Sequence, residues 1–214
     1  MALSKFDHLA MITSDLTGTI RFYRDLLGLE LSLGIGHEGY RHYFFNVGDG
    51  YLAFFEYDGA SPMQTKFHGS PTRAPLGFDH LAFTVDTRQE LFGLKDQLEA
   101  ADIQVDGPVD HGAFWSIYFF DPVNNIPLEA SWALMEITDT PAIVDVETLA
   151  VAEEGAEPQP GHWPAVENPT PADQMIINHP GNAFTLRDEL LRRGQARLTA
   201  DGRKALEEMQ EPVA

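Results

Sequence analysis

The chain reads as an α+β protein: two tandem βαβββ modules forming a cupped, mixed β-sheet around a metal-binding cavity, with a C-terminal extension behind them. Three observations predict this. Phe6-Asp7-His8-Leu9-Ala10 recurs unchanged as Phe78-Asp79-His80-Leu81-Ala82, an offset of 72 residues (80 − 8). A second correspondence keeps nearly that spacing, because Leu52-Ala53-Phe54-Phe55-Glu56 aligns with Asn125-Ile126-Pro127-Leu128-Glu129 at an offset of 73 (129 − 56). Between these ends the hydrophobic period runs through the same order in both copies, strand first, then helix, then strands, as expected of one supersecondary unit repeated.

The first copy spans about residues 5–70. It opens on an apolar, β-prone run over 9–13, after which Leu16, Ile20, Tyr23 and Leu27 recur at helical spacing and Gly28 offers a stop. Strands are expected over 29–34, 40–47 and 51–57, the last two joined through Gly48-Asp49-Gly50. The second copy, about 77–133, opens with a strand over 81–85. Thr87-Arg88-Gln89-Glu90 then forms a capping box leading into Leu91, Leu94 and Leu98. Strands over 103–105, 116–121 and 126–132 complete it, with Pro122-Val123-Asn124-Asn125 as the turn between the last two. Residues 1–135 therefore make one domain and 136–214 an appended arm.

A four-stranded sheet with one helix leaves a face uncovered, so the two copies are expected to pair and enclose their concave sides. Alternate residues of a strand share a face. One His and one Glu from each copy, His8, Glu56, His80 and Glu129, are thus expected to point inward around a pseudo-two-fold axis. Two imidazoles and two carboxylates are a nitrogen–oxygen donor set suited to Fe(II), Mn(II), Co(II), Ni(II) or Zn(II). Both glutamates follow apolar runs, where an unpartnered carboxylate is costly and a bound cation removes the cost. One divalent ion per chain is expected.

Composition excludes other classes. The chain has 214 residues, 43% hydrophobic and 11% aromatic, as in ordinary globular proteins with a buried core. It contains no cysteine, which removes disulfides, thiolate ligands and a thiol nucleophile. A formal net charge of −19 repels nucleic acid and anionic membranes, leaving a small-molecule substrate and a second copy, in a homodimer, as expected partners. No run of about 18 apolar residues occurs and the N-terminus lacks a secretory pattern, so a cytoplasmic location is expected.

Phe6-Asp7-His8-Leu9, Phe78-Asp79-His80-Leu81 and the closing stretch Ser116 to Glu129, with Asp121-Pro122 before the last glutamate, resemble the vicinal oxygen chelate superfamily. That superfamily holds glyoxalase I, fosfomycin-resistance enzymes, methylmalonyl-CoA epimerase and type I extradiol dioxygenases. The resemblance covers roughly residues 5–133. Its departure is Asn124-Asn125 where the family has Gly, with one residue more; Asn tolerates the left-handed conformation, so the turn is expected to survive. Likeness to the extradiol enzymes implies a triad of His8, His80 and Glu129 on Fe(II), with His111 as acid–base and Tyr118 bonding a substrate oxygen. Tyr43, Phe44, Phe54 and Trp115 are expected to line a site for a flat aromatic diol. Likeness to glyoxalases implies instead a lyase or isomerase in which Glu56 is a fourth ligand and a carboxylate moves the proton. Likeness to the drug-sequestering members implies binding with no metal chemistry. The sequence favours the dioxygenase reading, with Fe(II) as its metal.

Beyond Trp132 the chain turns acidic and proline-studded, with Pro158, Pro160, Pro164, Pro169 and Pro171 forbidding regular helix. From Thr185, Leu186, Leu190 and Leu191 and then Leu198 and Leu206 predict one or two short helices, broken at Gly194 and Gly202. His162, Trp163 and His179 are expected at the surface.

Overall fold

The computed structural model describes residues 4–73, 77–175 and 181–208. Two copies of the same order of elements appear. The first runs β1 (His8–Thr13), α1 (Leu16–Ile20), β2 (Leu31–His37), β3 (Tyr40–Val47) and β4 (Gly50–Glu56). The second runs β5 (Leu81–Thr84), α2 (Arg88–Ala100), β6 (Asp106–Asp110), β7 (Phe114–Phe120) and β8 (Pro127–Ala133). Each copy is a four-stranded sheet, ordered β1-β4-β3-β2 and β5-β8-β7-β6, with its first strand parallel to its last and placed at an edge. The strand expected at 103–105 forms later, as β6, after Ile103 has closed the end of α2 through a backbone bond to Leu98.

Local chemistry explains the helices. Asp15 caps α1 by accepting from Gly18 N at 2.8 Å, and the helix passes into a π-helical run, Arg21–Leu26, that carries buried Phe22 and Tyr23. Helix α2 has the expected capping box, with Thr87 and Glu90 each bonding the other's backbone N–H. Asn125 does adopt the left-handed conformation, at φ 55°, so the turn before β8 survives without glycine.

Strand alternation sorts the side chains. Leu52 and Phe54 of β4, Ile117 and Phe119 of β7, and Leu128 and Ala130 of β8 face the helices and join Tyr23, Phe45, Leu91 and Leu98 in one core shared by both modules. Tyr43, Phe54 and Trp115 belong to this core or pack against it, which corrects their assignment to the cavity lining; Phe44 alone of that set faces the concave side, in ring contact with His8. A buried polar joint ties the modules together. Asp121 accepts from Tyr23 Oη at 3.0 Å and from Asn124 Nδ2 at 2.8 Å, and Asn124 also donates to Thr19.

Contacts divide the chain into two compact units, Met1–Pro158 and Gln159–Ala214. The first holds both modules and a short helix, α3 (Ala150–Glu153). The second is irregular through its prolines, then forms a 3-10 turn at Ala172–Gln174 and helices α4 (Phe184–Arg192) and α5 (Ala200–Glu208). Gly194 does end α4, but Gly202 lies inside α5, where its N–H bonds Thr199 Oγ1 at 3.0 Å. No helix among the described residues is long and apolar enough to cross a membrane.

Candidate metal centre

The repeated Phe-Asp-His-Leu places His80 at the mouth of β5, and its aspartate fixes the ring. His80 Nδ1 lies 2.6 Å from Asp79 Oδ1, and a carboxylate can only accept, so Nδ1 carries the proton and Nε2 is left for a ligand. Nε2 lies 2.7 Å from Glu129 Oε2. Glu129 is 5% exposed and its other oxygen accepts from Ser116 Oγ. A buried carboxylate facing an imidazole nitrogen, each oriented from behind, suits a divalent cation: in the pair as it stands a proton fills the gap, and a metal ion satisfies both lone pairs instead. Asp79 is itself held well below the usual carboxylate range by Lys66, His80 and Gly69 N, so it accepts as an anion.

His8 is built the same way, with Nδ1 2.6 Å from Asp7 Oδ1. Its ring stands on the first sheet, edge-on to Phe44 at 6.0 Å, and beside His42, whose pKa is lowered by burial and then by His8. It does not meet His80 and Glu129, and no group of three or more His, Asp or Glu residues among the described residues is placed to hold a metal.

Glu56 departs from expectation. Its carboxylate accepts from Leu16 N at 3.0 Å and from Arg41 Nη1 at 2.5 Å, so it closes the start of α1 on the helix side of the sheet. The register gives the reason. Leu9 pairs with Leu52 and Leu81 with Leu128, so the last strands correspond at an offset of 76 (128 − 52). Glu129 therefore matches Ala53, and the apparent match to Glu56 is out by three residues, an odd number that puts it on the opposite face. Neither the shared cavity nor a fourth ligand at Glu56 is what this geometry builds.

The second sheet brings His111 and Tyr118 together beside Glu129. Tyr118 pairs across strands with Glu129, and its Oη lies 2.9 Å from His111 Nε2. Burial and then the Glu129 charge push the Tyr118 pKa up, so the phenol stays a neutral donor. His68, from the segment between the modules, stacks face-to-face on Tyr118 with centroids 3.4 Å apart. Sequence reasoning missed Asp7, Asp79, Ser116, His42 and His68. The two aspartates were signalled by their identity in both copies, and Ser116 by alternation with Tyr118; His68 lies where the repeat gives no guide. His162 and Trp163 are exposed, as expected, and His179 lies outside the described residues.

The model of the Glyoxalase/Bleomycin resistance protein/Dioxygenase superfamily matches residues 5–129. No curated protein matches the chain. Among solved structures the chain is similar to a glyoxylase/bleomycin resistance protein/dioxygenase domain from Frankia sp. EAN1pec, at 25% identity and a TM-score of 0.51, covering 62% of this chain and 99% of that one. It also resembles a lactoylglutathione lyase from Agrobacterium tumefaciens, at 26% identity, TM-score 0.45, and 62% and 96% coverage. A third is the fosfomycin resistance protein FosX from Listeria monocytogenes, solved with Mn(II) and sulfate, at 18% identity, TM-score 0.48, and 63% and 96% coverage.

Proposed function

Because the chain belongs to the Glyoxalase/Bleomycin resistance protein/Dioxygenase superfamily, we propose that it is a divalent-metal enzyme of that superfamily, and within it an extradiol-type dioxygenase of small aromatic diols. One observation carries the choice of reaction. Glu56 spends its carboxylate on Leu16 N and Arg41, so the ligand set available is His8, His80 and Glu129. Three protein ligands leave room for a bidentate diolate and O2, and four do not. When bound, Fe(II) would supply the Lewis acidity and the site for dioxygen. The chain's own part is proton management: His111 takes the diol proton, Tyr118 holds the oxygen it leaves, and Ser116 and Asp79 keep Glu129 and His80 aimed.

His8 stands on the other sheet from His80 and Glu129. The centre is therefore completed by His8 of a second copy, in a homodimer whose two sites are each shared between chains. Mixing His8→Ala with His80→Ala chains tests this, since only the mixed dimer keeps one whole site. Metal uptake in the mixture should return to about a quarter of wild type; no recovery would refute the sharing.

The reaction is tested by O2 consumption with a panel of catechols, using Fe(II)-loaded wild type and Glu56→Gln. Both should consume O2 and hold about one ion per chain. Absence of uptake by wild type with every catechol would overturn ring cleavage in favour of the lyase or isomerase reading.

A further inference from the structure

The faces that carry the proposed metal ligands differ in chemistry. In the second sheet Asp106 of β6 pairs with Tyr118 of β7, which pairs with Glu129 of β8, so two carboxylates flank the phenol on one face. Neighbouring strands lie about 4.8 Å apart, which puts Asp106 roughly 10 Å from Glu129, within reach of a substituent on a ring held at the metal. In the first sheet His8 pairs with Tyr51 and stands edge-on to Phe44, and Phe55 of the same face stacks on His42 with centroids 3.4 Å apart. The wall around His8 is thus aromatic.

The eight Lys and Arg residues of positions 1–135 are placed elsewhere. None falls between Asp96 and Met135, the stretch that supplies three of the four strands of the second sheet. Arg41, the one cation within β1 to β4, bonds Glu56 on the helix side, and Lys66 bonds Asp79. Arg21 and Arg24 bond Asp25, and Lys95 bonds Glu99. Lys5, Arg73 and Arg88 stand outside the strands at exposed positions. An anionic group carried between the two faces would lose its water beside Asp106 with no cation in place of it, whereas an uncharged body loses little and gains the aromatic wall.

We propose that the site selects by charge: it takes a substrate that is uncharged and apolar beyond the atoms held at the metal and rejects one bearing a carboxylate or phosphate there, with Asp106 as the specificity-determining residue. This rests on the metal reading given above, with its second copy. Glu129 spends its charge on the ion, so Asp106 is the carboxylate of that row left to repel the far end of a ligand.

The test compares 4-methylcatechol with 3,4-dihydroxybenzoate, which carry a methyl group and a carboxylate at the same ring position and keep the same chelating oxygens. Each is titrated calorimetrically, without oxygen, into full-length Fe(II)-loaded wild type, Asp106→Asn and Asp106→Lys. Wild type should bind the methyl compound about 100-fold or more tightly than the carboxylate. The ratio should narrow in Asp106→Asn and fall about tenfold or more in Asp106→Lys, chiefly through tighter binding of the carboxylate. Equal affinities in wild type, or tighter binding of the carboxylate, overturn the proposal. So does an unchanged ratio in Asp106→Lys at wild-type fold. Wild type that takes up no metal sinks the metal reading and this proposal with it. Wild type that binds metal and discriminates between the two compounds, but consumes no O2 with any catechol, sinks the dioxygenase reading alone and supports the selection by charge.

Discussion

Asp7 and Asp79 show how residues that would not touch an ion can orient the side chains proposed to hold it. Each accepts a hydrogen bond from Nδ1 of the histidine that follows it, at 2.6 Å, fixing tautomer and ring plane together. An amide can turn its NH2 toward Nδ1 and reverse the tautomer. Asp79→Asn should therefore lower metal affinity about 10- to 100-fold at unchanged helix and strand content, measured by competition with a chelator, and Asp7→Asn should act in the same direction. Unaltered affinity in both would show that the couplets do not serve the ion. At this scale the sequence was partly readable. A repeat and a resemblance marked His8, His80, Glu129, His111 and Tyr118, and the fold gathers the last four beside one sheet while His8 stands on the other. Glu56 was misread because a carboxylate after an apolar run looks the same whether it faces a cavity or caps a helix.

Elements were read more securely than their ends. Both module helices and seven of the eight strands were expected where they form, since capping and alternation are local signals, whereas β6 lies wholly beyond the expected 103–105 because its start depends on how the chain leaves α2. The pairing register was beyond a linear reading. Gly48-Asp49 suffices to join β3 to β4, but β7 and β8 are joined through Asp121 to Ile126, and such length differences hide the true correspondence of the last strands. The longer turn is specific in its demands. Asn125 holds φ 55° and also bonds Met63 O and Thr65. Asn125→Val, which loses both the bonds and the permitted backbone, should lower stability by about 1–2 kcal/mol relative to Asn125→Gly, which loses only the bonds. Denaturant melts of the two variants check this, and equal midpoints would contradict it.

At the scale of the two modules together, the Tyr23–Asp121 bond joins the π-helical run of one to the closing turn of the other inside a shared core. Tyr23→Phe should cost about 1.5–3 kcal/mol, the range for a hydrogen bond to a charged group, read from thermal or denaturant unfolding. The same bond governs behaviour in alkali. Burial first, then the Asp121 charge, holds the Tyr23 pKa well above 10. An unfolded tyrosine ionises near 10, so this contribution is complete below that pH and is lost as pH rises from there toward the folded value. Stability of the wild type should fall steeply above about pH 10, and that of Tyr23→Phe less steeply; parallel curves would refute the assignment.

Each sheet leaves its first strand, β1 or β5, at an edge. An uncovered edge is a template for another chain. When β1 of each chain lies along β5 of the other, these two edges of both chains are consumed in one step, while β2 and β6 stay at the far edges. Pairing β1 with β1 satisfies only half of them, and the remaining β5 edges can continue the chain of contacts into an open filament. The duplication of the module thus carries a topological hazard along with its second sheet: which first-strand edges meet sets whether an assembly closes as a pair or grows.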